Sequence, residues 1–239
     1  MHFKLLKIKE SEKNMYKYEM HCHTSESSGC GKVSGAEMAE IYKDIGYSGL
    51  IITDHFFNGN TAIPKKLPWE ERINLFCRGF EEAKKRGEEI GLSVFFAWEN
   101  SYRGTDFVTY GLDKEWLLRN KYCDLLPAKQ YIELARSDGG YVVQAHPYRE
   151  AGYIDMIRLL PRDVDAVETI NACCNDFENA MADFYAENYQ ITKICGTDNH
   201  TGRRERMTAL EIDFEAKSVK EIISAIKAGK HTISLYDLN

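Results

Sequence analysis

Short runs of β-branched and aromatic residues alternate along this chain with longer stretches in which apolar residues recur every three or four positions. That alternation marks successive strand–helix units packed around a largely parallel sheet. It predicts strands over 16–21, 47–53, 92–98, 106–112, 141–145, 164–170, 191–195 and 207–212. Helical spacing predicts helices after Ser34, with Met38, Ile41, Tyr42 and Ile45 on one face, and over 69–90, 114–120, 128–137, 154–160, 177–188 and 218–228. Ser34 and Glu37 form a capping box at the first of these, and glycines such as Gly46, Gly91 and Gly229 stop helices. The stretch 56–68 holds two of the five prolines. It is more structureless chain than a compact domain usually carries unless it covers a site.

With 239 residues and no internal repeat or linker, a single α/β domain over 1–239 is expected, its core over 16–205 and a closing strand and helix in 206–239. The first nine residues are interrupted by lysines and lack the apolar core of a secretory signal, and no run approaches the ~20 apolar residues of a membrane span. Seven cysteines without a Cys-x-x-Cys pair fit a reducing compartment better than a disulfide framework. A cytoplasmic protein without a membrane partner is the expectation. A net charge of −6 provides no broad cationic face for duplex nucleic acid.

The chemistry-bearing residues sit at one kind of place. His21 and His23, Asp54 and His55, Glu99, His146, and Asp198 with His200 all fall at the carboxyl ends of predicted strands. In a barrel of strand–helix units those ends converge on the face where its chemistry is found. Five of the seven histidines are there. A strand sends residues i and i+2 to the same side, so His21 and His23 point together while Cys22 faces away. Mixed imidazole and carboxylate donors suit Zn²⁺, Mn²⁺ or Fe²⁺. A carboxylate such as Glu99 can bridge two cations, and a hydroxide shared between them is a strong nucleophile at neutral pH. Metal-assisted hydrolysis is the reaction class this points to.

In order and content, His21-Cys22-His23-Thr24, Thr53-Asp54-His55, Glu99, Ala145-His146-Pro147 and Gly196-Thr197-Asp198-Asn199-His200 resemble the PHP (polymerase and histidinol phosphatase) superfamily of metal-dependent phosphoesterases. The resemblance implies a distorted (β/α)7, TIM-like barrel with two or three divalent cations at its C-terminal face. It assigns His21, His23, Glu99 and Asp198 to the first cation, with Glu99 bridging to a second held by His146, and His55 and His200 to a third. Two positions depart from the family pattern. Ser28 and Gly29 stand where an acid or histidine often follows the first motif, and Val108 where a histidine often follows the glutamate. Water, substrate oxygens, Glu26 or Cys30 would then complete the second and third cations.

The expected substrate is a small phosphate monoester. Glu99 and Asp198 would hold the attacking oxygen's cations, and His55 and His200 would stabilise the equatorial oxygens and leaving group. Arg149 and Arg203 are candidate phosphate clamps, since guanidinium forks match phosphate oxygens, and solvated surface arginines are the competing reading. Asn171 and Asn175 end a strand on the same face, to donate to substrate or to cap the next helix. Asp54, neighbour to His55, reads as a hydrogen-bond partner that orients the turn. Phe56 and Tyr148 read as packing or as pocket walls. Two alternatives stay open: a nucleotide or short single-strand phosphodiesterase, and a degenerate metal-binding sensor without turnover.

Overall fold

Nine strands form one sheet in the computed structural model, which describes residues 15–238. They are β1 (Tyr16–Cys22), β2 (Gly49–Ile52), β3 (Ser93–Tyr102), β4 (Thr105–Tyr110), β5 (Tyr141–Gln144), β6 (Ala166–Asn171), β7 (Thr192–Gly196), β8 (Arg206–Ile212) and β9 (Thr232–Asp237). Their order is β7-β6-β5-β4-β3-β2-β1-β8-β9. Past the end of β7, Asn199 N donates to His21 O at 3.2 Å and His23 N to Asn199 O at 2.9 Å, so the sheet curls back on β1 as a nearly closed barrel. The reading of the first nine residues as no secretory signal lies outside the described residues. No helix among those described is long and apolar enough to cross a membrane.

The barrel is TIM-like, as expected, but its strands are not all parallel. β1–β2, β2–β3, β5–β6 and β6–β7 pair in parallel, whereas β4 is antiparallel to both β3 and β5. The cause is local: two residues join β3 to β4, and Arg103 and Gly104 both take positive φ, 52° and 80°, the hairpin turn geometry. A crossover to a parallel strand needs a dozen residues or more. β8 runs antiparallel along the start of β1, and β9, which the hydrophobic pattern did not announce, pairs antiparallel with β8.

Helices cover the outside: α1 (Gly35–Asp44), α2 (Trp69–Phe76), α3 (Arg78–Ile90), α4 (Lys114–Arg119), α5 (Ala128–Ser137), α6 (Asp176–Tyr189) and α7 (Val219–Lys227). The Ser34–Glu37 capping box starts α1 as predicted. The single helix expected over 69–90 is divided at Cys77, where Ser27 Oγ donates to Phe76 O at 2.7 Å and takes that carbonyl from the helical ladder. The helix expected over 154–160 does not form. There Gln144 of β5 binds the backbone instead, donating to Arg158 O at 2.6 Å and accepting from Leu160 N at 3.3 Å, and Pro161 disfavours a helical residue before it.

Tyr18, Met20, Val108, Tyr110, Val143 and Ile194 belong to one buried apolar cluster of the barrel, each such side chain contributing roughly 1.5–3 kcal/mol. Above it two strands bulge. β1 shifts register against β2 between Glu19 and Cys22, and β6 against β7 between Glu168 and Ile170. Bulges re-aim side chains. Beyond the first, His21 and His23 turn towards the acids of the neighbouring strands, while Cys22 packs with Met38, Ala39 and Tyr42 of α1.

Candidate metal centre

Strand ends bring His21, His23, His55, Glu99, His146, Asp198 and His200 into one cup at the mouth of the barrel. Glu99, on β3, is its centre. Its Oε1 lies 3.3 Å from His21 Nε2 and 3.2 Å from His146 Nε2; its Oε2 lies 2.6 Å from His55 Nδ1 and 3.7 Å from His23 Nε2. Asp198 Oδ1 is 3.1 Å from His23 Nε2 and 3.6 Å from His21 Nε2. Among the described residues three donor sets each fall within 4.8 Å: His21, Glu99 and His146; His21, His23 and Asp198; His23, His55 and His200.

Hydrogen bonds outside the cup fix which ring nitrogen faces in. Carboxylates and carbonyls only accept, so His21 Nδ1–H donates to Glu168 Oε1 at 3.0 Å and His200 Nδ1–H donates to Asp198 O at 2.9 Å. Ser28 Oγ gives its one hydrogen to Asp54 Oδ1 at 2.6 Å, so it accepts from His23 Nδ1–H at 3.2 Å. The Nε2 lone pairs of all three rings therefore point inward. His21 Nε2, His23 Nε2 and Glu99 Oε2 have no hydrogen-bond partner among the described residues despite their closeness to one another. Buried polar atoms left unpaired cost on the order of 1–3 kcal/mol each. Acceptors that crowd together without aligned hydrogens fit divalent cations between them.

Charge leads to the same conclusion. Burial pushes the Glu99 and Asp198 carboxyls up, but His21 and its neighbours outweigh it and hold both well below the usual range. Glu168 is held low by His21 against the same burial. Burial, reinforced by His200 and His55, keeps His23 well below its ordinary value and so neutral. In the ion-free chain the charge of these buried acids is balanced by protons on His21 and His55 and by Arg149, whose Nη2 lies 2.6 Å from Asp198 Oδ2. Bound cations would take over the part of those protons, since buried charge needs compensation.

The strand ends themselves are strained. His146 and Asp198 take φ of 27° and 56°, a region non-glycine residues enter rarely, and such outliers concentrate at functional sites. Gly196, just before Asp198, faces the same crowd: a Cβ there would overlap Glu168 Oε1 and His21 Cβ.

The residues proposed to bind substrate are placed differently from one another. Arg149 lines the cavity beside the cup, its Nη2 also donating to Asn171 Oδ1 at 3.0 Å. Asn171 is buried and committed: its Nδ2 donates to Glu168 Oε2 at 2.8 Å. Asn175 caps α6 in a capping box with Glu178. Arg203 is exposed on the loop between β7 and β8, away from the cavity lining, and Arg206 pairs with Asp176 at 2.6 Å. Asp54 accepts from Thr24 N, Thr24 Oγ1 and Ser28 Oγ at 2.6–2.7 Å, and so ties the first two motifs together. Phe56 is buried in the apolar core with Phe57 and Trp98, and Tyr148 packs at its edge. Glu26 turns away, both its oxygens accepting from Gly35 N at 3.1 Å.

Sequence reasoning missed Glu168, Asp106 and Glu19. Glu168 accepts from His21 Nδ1, His146 N and Asn171 Nδ2, bracing two candidate ligands at once. Its signal was an acid inside the otherwise apolar run Ala166-Val167-Glu168-Thr169-Ile170. Val108 lies opposite Glu99 in register but belongs to the apolar cluster. Two residues nearer the mouth, buried Asp106 lies with its Oδ2 3.9 Å from His146 Nε2, and burial aided by Glu99 raises its carboxyl. Because β4 is antiparallel, its beginning rather than its end reaches the cup. Glu19 accepts from His21 N at 2.9 Å, Thr197 N at 2.8 Å and Tyr42 OH at 2.9 Å, and burial pushes its carboxyl up to about 7. Cys30 adds a sulfur at the rim, Sγ 3.2 Å from His55 Nε2. Burial raises this thiol, but hydrogen bonds from His200 and His55 outweigh it and bring it to about 6.

The cup opens into a cavity of about 520 Å³, lined by Arg149, Tyr153 and Asp106 and by Asn58, Gly59 and Asn60 of the long loop. That loop is anchored by Asn58, which donates to Asn100 Oδ1 and Asp124 O at 3.0 Å and accepts from Ser101 N at 3.0 Å.

No protein-family model matches this chain, and no curated protein matches it. Solved structures do. A two-domain protein from Bacteroides vulgatus containing a predicted PHP-like metal-dependent phosphoesterase superposes with a TM-score of 0.69 at 14% identity, over 93% of this chain and 65% of that one. This chain thus spans just under two thirds of that protein. A candidate metal-dependent phosphoesterase from Bifidobacterium adolescentis gives a TM-score of 0.51 at 15% identity, over 78% of this chain and 88% of that one. An amidohydrolase from Chromobacterium violaceum, solved with sulfate and without metal, gives 0.56 at 13% identity, over 87% and 96%. The chain therefore shares its fold with these structures, a predicted PHP-like metal-dependent phosphoesterase among them, in keeping with the TIM-like barrel that the order of the motifs implied.

Proposed function

We propose that this chain is a metal-dependent phosphoesterase acting on a small phosphate monoester. The observation that carries the reading is the inward convergence of unpaired Nε2 and carboxylate atoms beside a buried arginine, at the floor of a cavity of small-molecule size. His21, His23 and Asp198 would hold one cation, Glu99 and His146 a second with Glu99 between the two, and His55 with His200 a third. Cations so held would neutralise phosphoryl oxygens and make a water acidic enough to attack at neutral pH.

The protein's own groups do the positioning. Glu168 and Ser28 hold the His21 and His23 rings so that Nε2 faces the cup, which fixes the donors before substrate arrives. Arg149 is clamped by Asn171 and Asp198 at the cavity wall, where its guanidinium would meet a phosphoryl oxygen. Asn58 and Asn60 also line the cavity, and the alcohol portion of the ester would lie against them. Glu99 and Asp198, ionised at neutral pH, give the cup its affinity for cations and orient the attacking water.

The test is hydrolysis by protein stripped with a chelator and reloaded with Zn²⁺, Mn²⁺ or Fe²⁺ separately. Phosphate release from p-nitrophenyl phosphate should vanish on stripping, return on reloading, and exceed release from the bis ester. Preference for the bis ester would replace the monoester reading with a phosphodiesterase. Full cation occupancy without turnover of either ester class would overturn the enzymatic reading.

A further inference from the structure

One side of the cup departs from what the motifs imply. Ser28 and Gly29 stand where an acid or histidine was to be expected, and neither offers a donor: Ser28 Oγ is used by Asp54, His23 and His55 N, and Gly29 has no side chain. The next residue reaches in. Cys30 Sγ lies 3.2 Å from His55 Nε2, which lies 3.3 Å from His200 Nε2. His200 Nδ1 is the donor to Asp198 O, and His55 Nδ1 faces Glu99 Oε2 at 2.6 Å, so both rings turn Nε2 towards each other and the sulfur. Two nitrogen lone pairs at that separation repel unless a proton or a cation lies between them. His23 closes the space from below, fully buried, its Nε2 unpartnered, its ring 4.1 Å from that of His200 and 4.3 Å from that of His55.

We propose that Cys30 is a thiolate ligand which, with His55 Nε2 and His200 Nε2, makes the outer cation position sulfur-bearing and selective for thiophilic ions such as Zn²⁺ and Co²⁺ over Mn²⁺ and Mg²⁺. The proposal rests on the metal-dependent reading above and adds to it a ligand and a selectivity. On binding, the protons held between the Cys30 sulfur and the two rings pass to the solvent as sulfur–cation and nitrogen–cation bonds form, with no change of oxidation state. Soft sulfur discriminates among divalent ions where imidazole and carboxylate do so weakly. The inner donors, His21, His23, Glu99, His146 and Asp198, include no sulfur and carry no such bias.

The experiment uses the full chain stripped of metal and titrated with Co²⁺ or Zn²⁺, with bound ions counted by elemental analysis. Co²⁺ should give a sulfur-to-cobalt charge-transfer band in the near ultraviolet, absent from Cys30→Ser. Cys30→His should restore the ion count without the band. Zn²⁺ should slow iodoacetamide labelling of Cys30, followed on its own peptide because Cys173 is also exposed, by about tenfold or more, since the bound thiolate's lone pair is engaged. Cys30→Ser should weaken the last ion to bind by at least about 10–100-fold, the loss typical of disturbing even a ligand's supporting group. If wild-type protein binds its ions but shows no such band and unchanged Cys30 labelling, the thiolate ligand is refuted and the metal-dependent reading stands. If no ion binds at all, both fall.

Discussion

At the inner position His21, Glu99 and His146 stand on β1, β3 and the turn after β5, buried to within a few per cent of complete, whereas at the outer position His55, His200 and Cys30 stand on loops and line the open cavity. The inner His21 ring and the His146 backbone are braced by a buried carboxylate, Glu168; the outer His200 ring is braced by a backbone carbonyl, and the outer His55 ring by Glu99 itself. A strand-borne donor held by an ionised acid has little freedom and strong basicity, while a loop-borne donor can adjust to what arrives. On the metal-dependent reading proposed above, this difference would divide the labour: the inner position would keep its ion, and the outer one would respond to substrate and to the choice of ion.

The sharpest way to break this contrast is at Glu99, whose Oε1 lies against His21 and His146 and whose Oε2 lies against His55. Glu99→Gln should lower kcat by at least about 10³-fold, some 4 kcal/mol of barrier, with fewer ions retained by elemental analysis. A kcat near wild type at full ion content would remove Glu99 from the centre. Next in size, Glu168→Gln should weaken the inner ion by about 10–100-fold in calorimetric titration while the Cys30-dependent ion binds as before. Equal weakening of both would show that the two positions are not independently supported.

A smaller effect sharpens the comparison through pH. In the ion-free chain burial opposes protonation of His21, but Asp198, Glu168 and Glu99 outweigh it and raise the ring well above its usual value; Glu99 and Cys30 do the same for His55. An incoming cation must displace those protons. Affinity should therefore rise with pH, by about tenfold per unit for each proton released, and calorimetry in buffers of different ionisation enthalpy should count at least one. Affinity independent of pH from 6 to about 8 would contradict the proton competition.

The smallest expected effect concerns Asp54, which joins the two motifs without facing the ions. Burial lifts its carboxyl from 3.8 to about 6 even though Ser28 and Thr24 donate to it. A raised acid favours the fold while protonated, so its contribution is largest below about 4 and is lost as pH rises to about 6. Asp54→Asn should remove that slope. Urea melts of ion-free wild type and variant should show their stability difference shifting in favour of the variant over that window and constant above it.

Strand ends and their side-chain direction were legible in the chain because each lies where an apolar run meets a polar one, and that boundary survives the folded context. What the pattern could not carry was direction and support. Nothing in the alternation of β4 says that it runs backwards, although the Arg103-Gly104 pair holds that information, and with the strand reversed Asp106 rather than Val108 reaches the mouth. Glu168 sat unnoticed because its partners are 147 and 22 residues away in sequence. Ser27 breaks a helix 49 residues distant by taking one carbonyl, and no local propensity encodes that. Arg203 had the right chemistry next to the right motif, but Asn199 Oδ1 accepts from Thr201 N and Gly202 N at 3.1 Å, fixing a turn that leaves Arg203 in solvent.

Glu168 serves an imidazole, a strained peptide N–H and an amide that in turn steadies an arginine, all from one carboxylate. A change at that one position reaches His21, the His146 turn and Arg149 together. Variants at Glu168 should therefore lose these three placements as a set rather than one at a time, whatever reaction the cup serves.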